Sequence, residues 1–277
     1  MNFKSTSFLL VLFVTLIIAA YVELNFGGYG SSGYLALVFF LGALVLLAKL
    51  KGTEQTKLKS SWKLLLLGSI ILIADLAYNI GSGSEIQTLD TMVLFLGVSL
   101  ISVNIKNNNI RSMGEFGTYF SSIFLLLFLV VYAMPSRLGS NIYDYYGYYA
   151  TTVPALFLLN SMNISLHMDS LTTFHVYGVE DIYYKIDLGC FGFYSMMLII
   201  STVLAYRLTS PNKNQHSLVK ITAVLIATSY LANLLRIIIL VSVGYYYGMA
   251  TMLVLHTFLG WALFAALVLP ITYFYLK

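Results

Sequence analysis

Charge is what this chain has least of. Only 9% of its 277 residues are Asp, Glu, Lys or Arg, while 59% are hydrophobic and the mean hydropathy is +0.85. Soluble chains run nearer ~25% charged, so a soluble fold of this composition is excluded and bilayer rules replace globular ones. Cysteine is almost absent as well. Cys190 stands alone, which excludes an internal disulfide and leaves the thiol free even on an oxidising face. Internal repeats and disordered tails are not visible. The formal charge of +4 is no nucleic-acid signature; its distribution is what informs.

Apolar runs of membrane-spanning length fall at about 7–22, 33–50, 63–80, 91–105, 116–134, 190–207, 219–243 and 250–275. The first has some features of a cleaved signal peptide, with Lys4 before it and Ala19-Ala20 at its end, but seven further spans favour a retained helix. The loop after the second run carries Lys49, Lys51, Lys57, Lys59 and Lys63 against Glu54, which makes it cytoplasmic by the positive-inside rule. Alternation then places Lys106, Arg111, Arg207, Lys213 and Lys220 inside, and with Lys4 and Lys277 twelve of the fifteen basic residues share that side. Glu23, Glu85, Asp90, Asp144, Asp169, Glu180, Asp181 and Asp187 fall outside. The expected fold is an all-α polytopic membrane protein of about eight helices, in the plasma membrane of a prokaryote, with both termini cytoplasmic.

A single membrane domain over 1–277 is expected, divided into N-terminal helices (1–134), an extracytoplasmic segment (135–189) and the last helices (190–277). The middle segment opens with the tyrosines Tyr143, Tyr145, Tyr146, Tyr148 and Tyr149, which suit a headgroup belt. Residues 151–162 are apolar, too short to span, and contain Pro154, so an interfacial or re-entrant piece is expected there. Ile182, Tyr184, Ile186 and Leu188 then alternate with polar or amphipathic residues, a strand pattern. Pairing with a stretch near 171–177 across Gly178-Val-Glu-Asp makes a small β-hairpin that leads into Cys190. His167, Asp169 and His175 read as loop residues without metal-ligand spacing, and neither metal nor cofactor is expected.

Polar groups inside hydrocarbon are costly and mark sites. A lone membrane cysteine is commonly a small apolar filler, but Cys190 is placed to open a helix on the outer side, where free N–H groups favour a thiolate. Gly189 and Gly192 leave the backbone around it open. Arg236, roughly 24 Å up its helix from Lys220, costs about 2.5–3.5 kcal/mol in hydrocarbon. It either snorkels or faces a cavity; Asn233, one turn earlier on the same face, favours the cavity. His256 falls at the same depth on the last helix, where an interhelical hydrogen bond is the plain alternative. Asp75, with Asn79 one turn on, reads as a packing or orienting residue or as a partner for Arg236.

Three ordered motifs then stand out: Cys190, Gly192 and Ser195 in C-x-G-x-x-S; Asn233, Arg236 and Ile237 in N-x-x-R-[IL]; and His256, Gly260 and Trp261 in H-x-x-x-G-W, followed by Phe264. In this order they resemble the exosortase/archaeosortase family of membrane transpeptidases, in its histidine subgroup. Phe191 departs from the Ser or Thr that often follows the family's cysteine. The resemblance implies a cysteine peptidase that recognises secreted proteins ending in a short motif, a transmembrane helix and a basic tail. It implies cleavage at the outer face through a thioester on Cys190 and transfer to a lipid or other surface acceptor. Arg236 is implied as oxyanion and thiolate stabiliser and His256 as general acid/base, supported by Asn233, Gly192, Ser195 and Asp75. The alternative from another class is a transporter or lipid flippase using Asp75 and Arg236 as an intramembrane charge pair.

Overall fold

A computed structural model describes residues 58–82, 88–139, 142–186, 190–209 and 215–276. Helix α1 (Trp62–Ser82), α2 (Thr88–Ser102) and α3 (Asn108–Phe128) come first. A π-helical turn (Leu129–Ala133) carries α3 into the short α4 (Met134–Arg137). Next come α5 (Ile142–Gly147), a second π turn (Tyr148–Thr152) and α6 (Val153–Ser161). Strands β1 (Leu166–Met168), β2 (Thr173–Tyr177) and β3 (Asp181–Lys185) precede α7 (Phe193–Thr209) and α8 (Gln215–Leu276). Helix α8 is two arms, because Gly248 breaks it with φ 81° and ψ 173°.

Among the described residues three helices are long and apolar enough to cross a membrane: Trp62–Gly81, Asn108–Ala133 and Val219–His256. The expected count of about eight is not confirmed by the described residues. The runs at about 7–22 and 33–50 lie outside the described residues. Helices α2 and α7, at 15 and 17 residues, are shorter than the ~20 that a straight span requires. The last two runs are the arms of α8.

Helix α3 begins at Asn108, before its apolar run, because the Asn107 side chain accepts from the N–H groups of Asn109 (2.9 Å) and Ile110 (3.4 Å). Its polar first turns are used. Arg111 donates to the Leu58 carbonyl at 2.8 Å, and the buried Glu115 accepts from the Leu58 N–H at 3.3 Å. Asn104 in turn accepts from Ser61 N–H at 2.8 Å, at the start of α1. The far ends of α1, α2 and α3 are thereby tied together.

The outer segment differs from expectation in two respects. The helix expected as a short piece over 151–162 runs back through the tyrosines to Ile142 as α5, the π turn and α6. Pro154 lies in the first turn of α6, directly after the second π turn. The hairpin is present as β2 and β3, but a third strand joins it to give an antiparallel sheet ordered β1-β2-β3. At three residues, β1 is too short to show a period of two. It puts His167 directly opposite His175, both on strands rather than in loops.

Two apolar clusters hold these parts. Phe116, Phe120, Phe124 and Phe128 form a ladder along α3 that packs Met92 of α2 and Met197, Leu198 and Ala205 of α7. The second gathers Phe174, Val176 and Ile186 from the sheet, Ala155, Leu156 and Leu159 from α6, Ile237 and Val241 from α8, and Phe191. Cys190 packs against this second cluster.

Candidate active site

Cys190 does not open a helix. It lies in a turn three residues before α7, because Gly192 takes φ +72°, a left-handed conformation that ends any helical extension toward the cysteine. A Cβ at Gly192 would stand 3.1 Å from the Asn233 side chain, so glycine serves both the turn and the close approach. That approach is used: Asn233 Nδ2 donates to the Cys190 carbonyl at 2.6 Å. Expected as a support for Arg236, Asn233 instead clamps the cysteine turn onto the first arm of α8. Ser195 lies in the first turn of α7, partly buried.

Phe191, the departure from the family pattern, is 1% exposed. Its ring fills the space that a side chain at Gly147 would take, so the cysteine turn is braced from α5 as well. A Ser or Thr at 191 would leave that slot empty.

The arms of α8 bring the other two residues together. Arg236 lies on the first arm and His256 on the second, and Arg236 Nη2 stands 3.2 Å from His256 Nε2. Arginine only donates, so Nε2 accepts and the imidazole proton resides on Nδ1. Gly260, one turn beyond His256, would place a Cβ 3.1 Å from the Arg236 guanidinium carbon; its bareness makes room for the guanidinium. Arg236 Nε is buried with no hydrogen-bond partner among the described residues. A half-buried guanidinium lining an apolar cleft is set to offset a negative charge there.

Cys190, Arg236 and His256 line one cleft of about 230 Å³. Its other walls include Tyr183 to Ile186 at the end of the sheet and Ile237, Leu240, Val241 and Met252 of α8. Burial pushes the Tyr184 phenol up to about 12, so this ring enters the wall as a neutral group. Asp75 is not among the lining residues. Its neighbour is Asn79, whose Nδ2 donates to the Asp75 backbone carbonyl at 3.0 Å and reaches Oδ2 at 3.5 Å. No ion pair joins Asp75 to Arg236 among the described residues. Trp261 and Phe264 lie on the second arm of α8, with side chains outside the described set.

The family model of transmembrane exosortases matches residues 25–273, nearly the whole chain. The chain belongs to the transmembrane exosortase family. The match spans all three motifs and the helices before them. No curated protein and no solved structure matches the chain. Membership makes this a membrane protein with the transpeptidase-type activity of the exosortases in general terms.

Sequence reasoning missed the part of the site that holds the corner of α8. The β2–β3 loop docks there: Val179 N–H donates to the Tyr245 carbonyl at 2.9 Å, and Glu180 Oε2 accepts from Met249 N–H at 2.8 Å. Glu180 thus caps the N-terminus of the arm that carries His256, where a carboxylate is favoured. Gly178 and Gly248 are bare where side chains would strike Tyr245 and Glu180. Gly178 was visible as a turn signal, but nothing local links residue 180 to residue 249.

Proposed function

We propose that this exosortase is a cysteine transpeptidase in which Cys190 is the nucleophile, Arg236 the oxyanion donor and His256 the proton carrier. The observation that carries the reading is the common cleft, with Arg236 and His256 in hydrogen-bond contact beside the cysteine turn. Three polar groups from the cysteine turn and the two arms of α8 converge in apolar surroundings, an arrangement too costly for packing alone.

The Cys190 thiol gives its proton to His256 Nε2, whose lone pair is released as Arg236 Nη2 turns from it toward the substrate, and the sulfur attacks the carbonyl carbon of the scissile peptide. The C–S bond forms while the carbonyl oxygen takes negative charge facing the Arg236 guanidinium, whose Nη–H groups donate to it. His256 then protonates the leaving amine as the C–N bond breaks, leaving a thioester. An acceptor hydroxyl, amine or water attacks the thioester, its proton passes through His256, and the thiol is restored. The fixed positive charge of Arg236 offsets the thiolate in the first step.

The substrates are secreted proteins ending in a short motif, a membrane helix and a basic tail, cut at the outer face of the plasma membrane. A membrane lipid is the favoured acceptor. The family's chemistry and the depth of the cleft along α8 support this. The test is co-expression of the full chain with such a protein from the source organism. Wild type should convert it to a shortened form and Cys190→Ala should leave it uncut. Conversion by Cys190→Ala at the wild-type rate removes the nucleophile from the scheme.

A further inference from the structure

Among the described residues strand β3 has a free edge, and Tyr183 and Lys185 on it line the cleft. Ile186 N–H donates to the Thr172 carbonyl at 2.8 Å, and the register pairs Tyr184 with Phe174 and Ile182 with Val176. On β2 the groups turned toward β1 are those of residues 173 and 177, since Asp169 N–H donates to Thr173 O and Tyr177 N–H donates to Ser165 O. In an antiparallel ladder these directions alternate. The main-chain N–H and C=O of Ile182, Tyr184 and Ile186 therefore face β2, and those of Asp181, Tyr183 and Lys185 face away from the sheet. Among the described residues no backbone group pairs with them. All three residues are exposed.

An open edge is a template for another strand. The other edge, β1, is three residues long and contributes nothing to the cleft. Tyr183 to Ile186 form the cleft wall beside Cys190, Arg236 and His256.

We infer that the segment of the substrate to be cut binds as an added strand on the β3 edge, through the main-chain groups of Tyr183 and Lys185. The occupant is an extended peptide. Its register against β3 sets which carbonyl reaches Cys190, because the end of β3 and Cys190 line the same cleft. Every second side chain of an added strand points to the same side as Tyr184 and Ile186. That side holds Ile237, Leu240, Val241 and Met252, so the cleft selects an apolar side chain there. Main-chain bonds supply affinity and the pocket supplies selectivity.

This inference rests on the transpeptidase reading, and the experiment separates the two. Tyr183→Pro deletes the outward N–H yet leaves the β2–β3 ladder intact, since proline is tolerated where the N–H faces away from the sheet. With a co-expressed secreted protein carrying a motif, a membrane helix and a basic tail, Tyr183→Pro should slow conversion about tenfold. Labelling of Cys190 by a small maleimide should stay at the wild-type rate. Tyr183→Ala, which keeps the N–H, should lose less conversion than Tyr183→Pro. Wild-type conversion by Tyr183→Pro, with Cys190→Ala inactive, overturns the edge and leaves the transpeptidase standing. Conversion by Cys190→Ala overturns both. If Tyr183→Pro does not accumulate, a benzophenone amino acid at 183 in the Cys190→Ala chain decides: cross-linking to the motif segment supports the edge, and cross-linking confined to the membrane helix or absent overturns it.

Discussion

The first three helices and the last two elements are both apolar, yet they are held together in opposite ways. Helices α1, α2 and α3 meet through small residues. A Cβ at Gly68 would stand 2.7 Å from the Gly97 carbonyl, one at Gly97 2.7 Å from Leu72, and one at Gly114 2.7 Å from the Val103 nitrogen. Lipid tails are as apolar as leucine, so such helices gain from close van der Waals packing rather than from leaving water. Around Cys190 the contacts are polar and specific: Asn233 to the Cys190 carbonyl, Arg236 to His256, Glu180 to Met249. The first region packs by shape along its helices, with polar ties at the ends near Leu58, Asn104, Arg111 and Glu115, whereas the second places its polar groups in the cleft and at the corner of α8. Only the second carries a cost that chemistry accounts for.

The largest effect expected is on the guanidinium. Arg236→Lys keeps a charge but loses the planar fork and Nε, and conversion of a sorting-signal substrate should fall ~10²–10³-fold. The melting temperature should change little. Gly260→Ala should follow at about tenfold to a hundredfold, because the new methyl displaces the guanidinium from His256. An unchanged rate there would show that the Arg236–His256 contact is packing alone.

Glu180→Ala should cost about tenfold in conversion. It uncaps the arm that carries His256 without entering the cleft. Maleimide labelling of Cys190 should be untouched, which separates misplacement of His256 from damage to the thiol turn. The smallest functional effect belongs to Gly97→Leu, which should destabilise by about 1–3 kcal/mol through overpacking against Leu72. Conversion per folded molecule should remain at the parent level. A catalytic defect from Gly97→Leu would break the division between the two regions.

The same division governs what could be read beforehand. Helices built on apolar runs were legible: α1 and the two arms of α8 lie within a few residues of the runs that announce them. Arg236 and His256 were legible because a charge and an imidazole in hydrocarbon demand an explanation, and depth along a helix is simple arithmetic. The cysteine turn was misread by three residues. Hydropathy runs straight through Phe191 and Gly192, and only a backbone angle ends the helix there. Contacts between distant residues left no local trace. Glu180 reaches Met249, Phe191 fills the slot beside Gly147, and Asn233 serves the Cys190 carbonyl rather than Arg236. The third strand was hidden by its three-residue length.

The central claim is that Cys190 forms the acyl bond, and mass spectrometry of its peptide tests that claim most directly. Full-length enzyme isolated with substrate bound should yield a peptide containing Cys190 that carries the substrate's new carboxyl end. Neutral hydroxylamine, which cleaves thioesters, should release the adduct, and Cys190→Ala should yield none. The same fragment recovered on Ser195, or cleavage that proceeds with Cys190 replaced, would contradict the account.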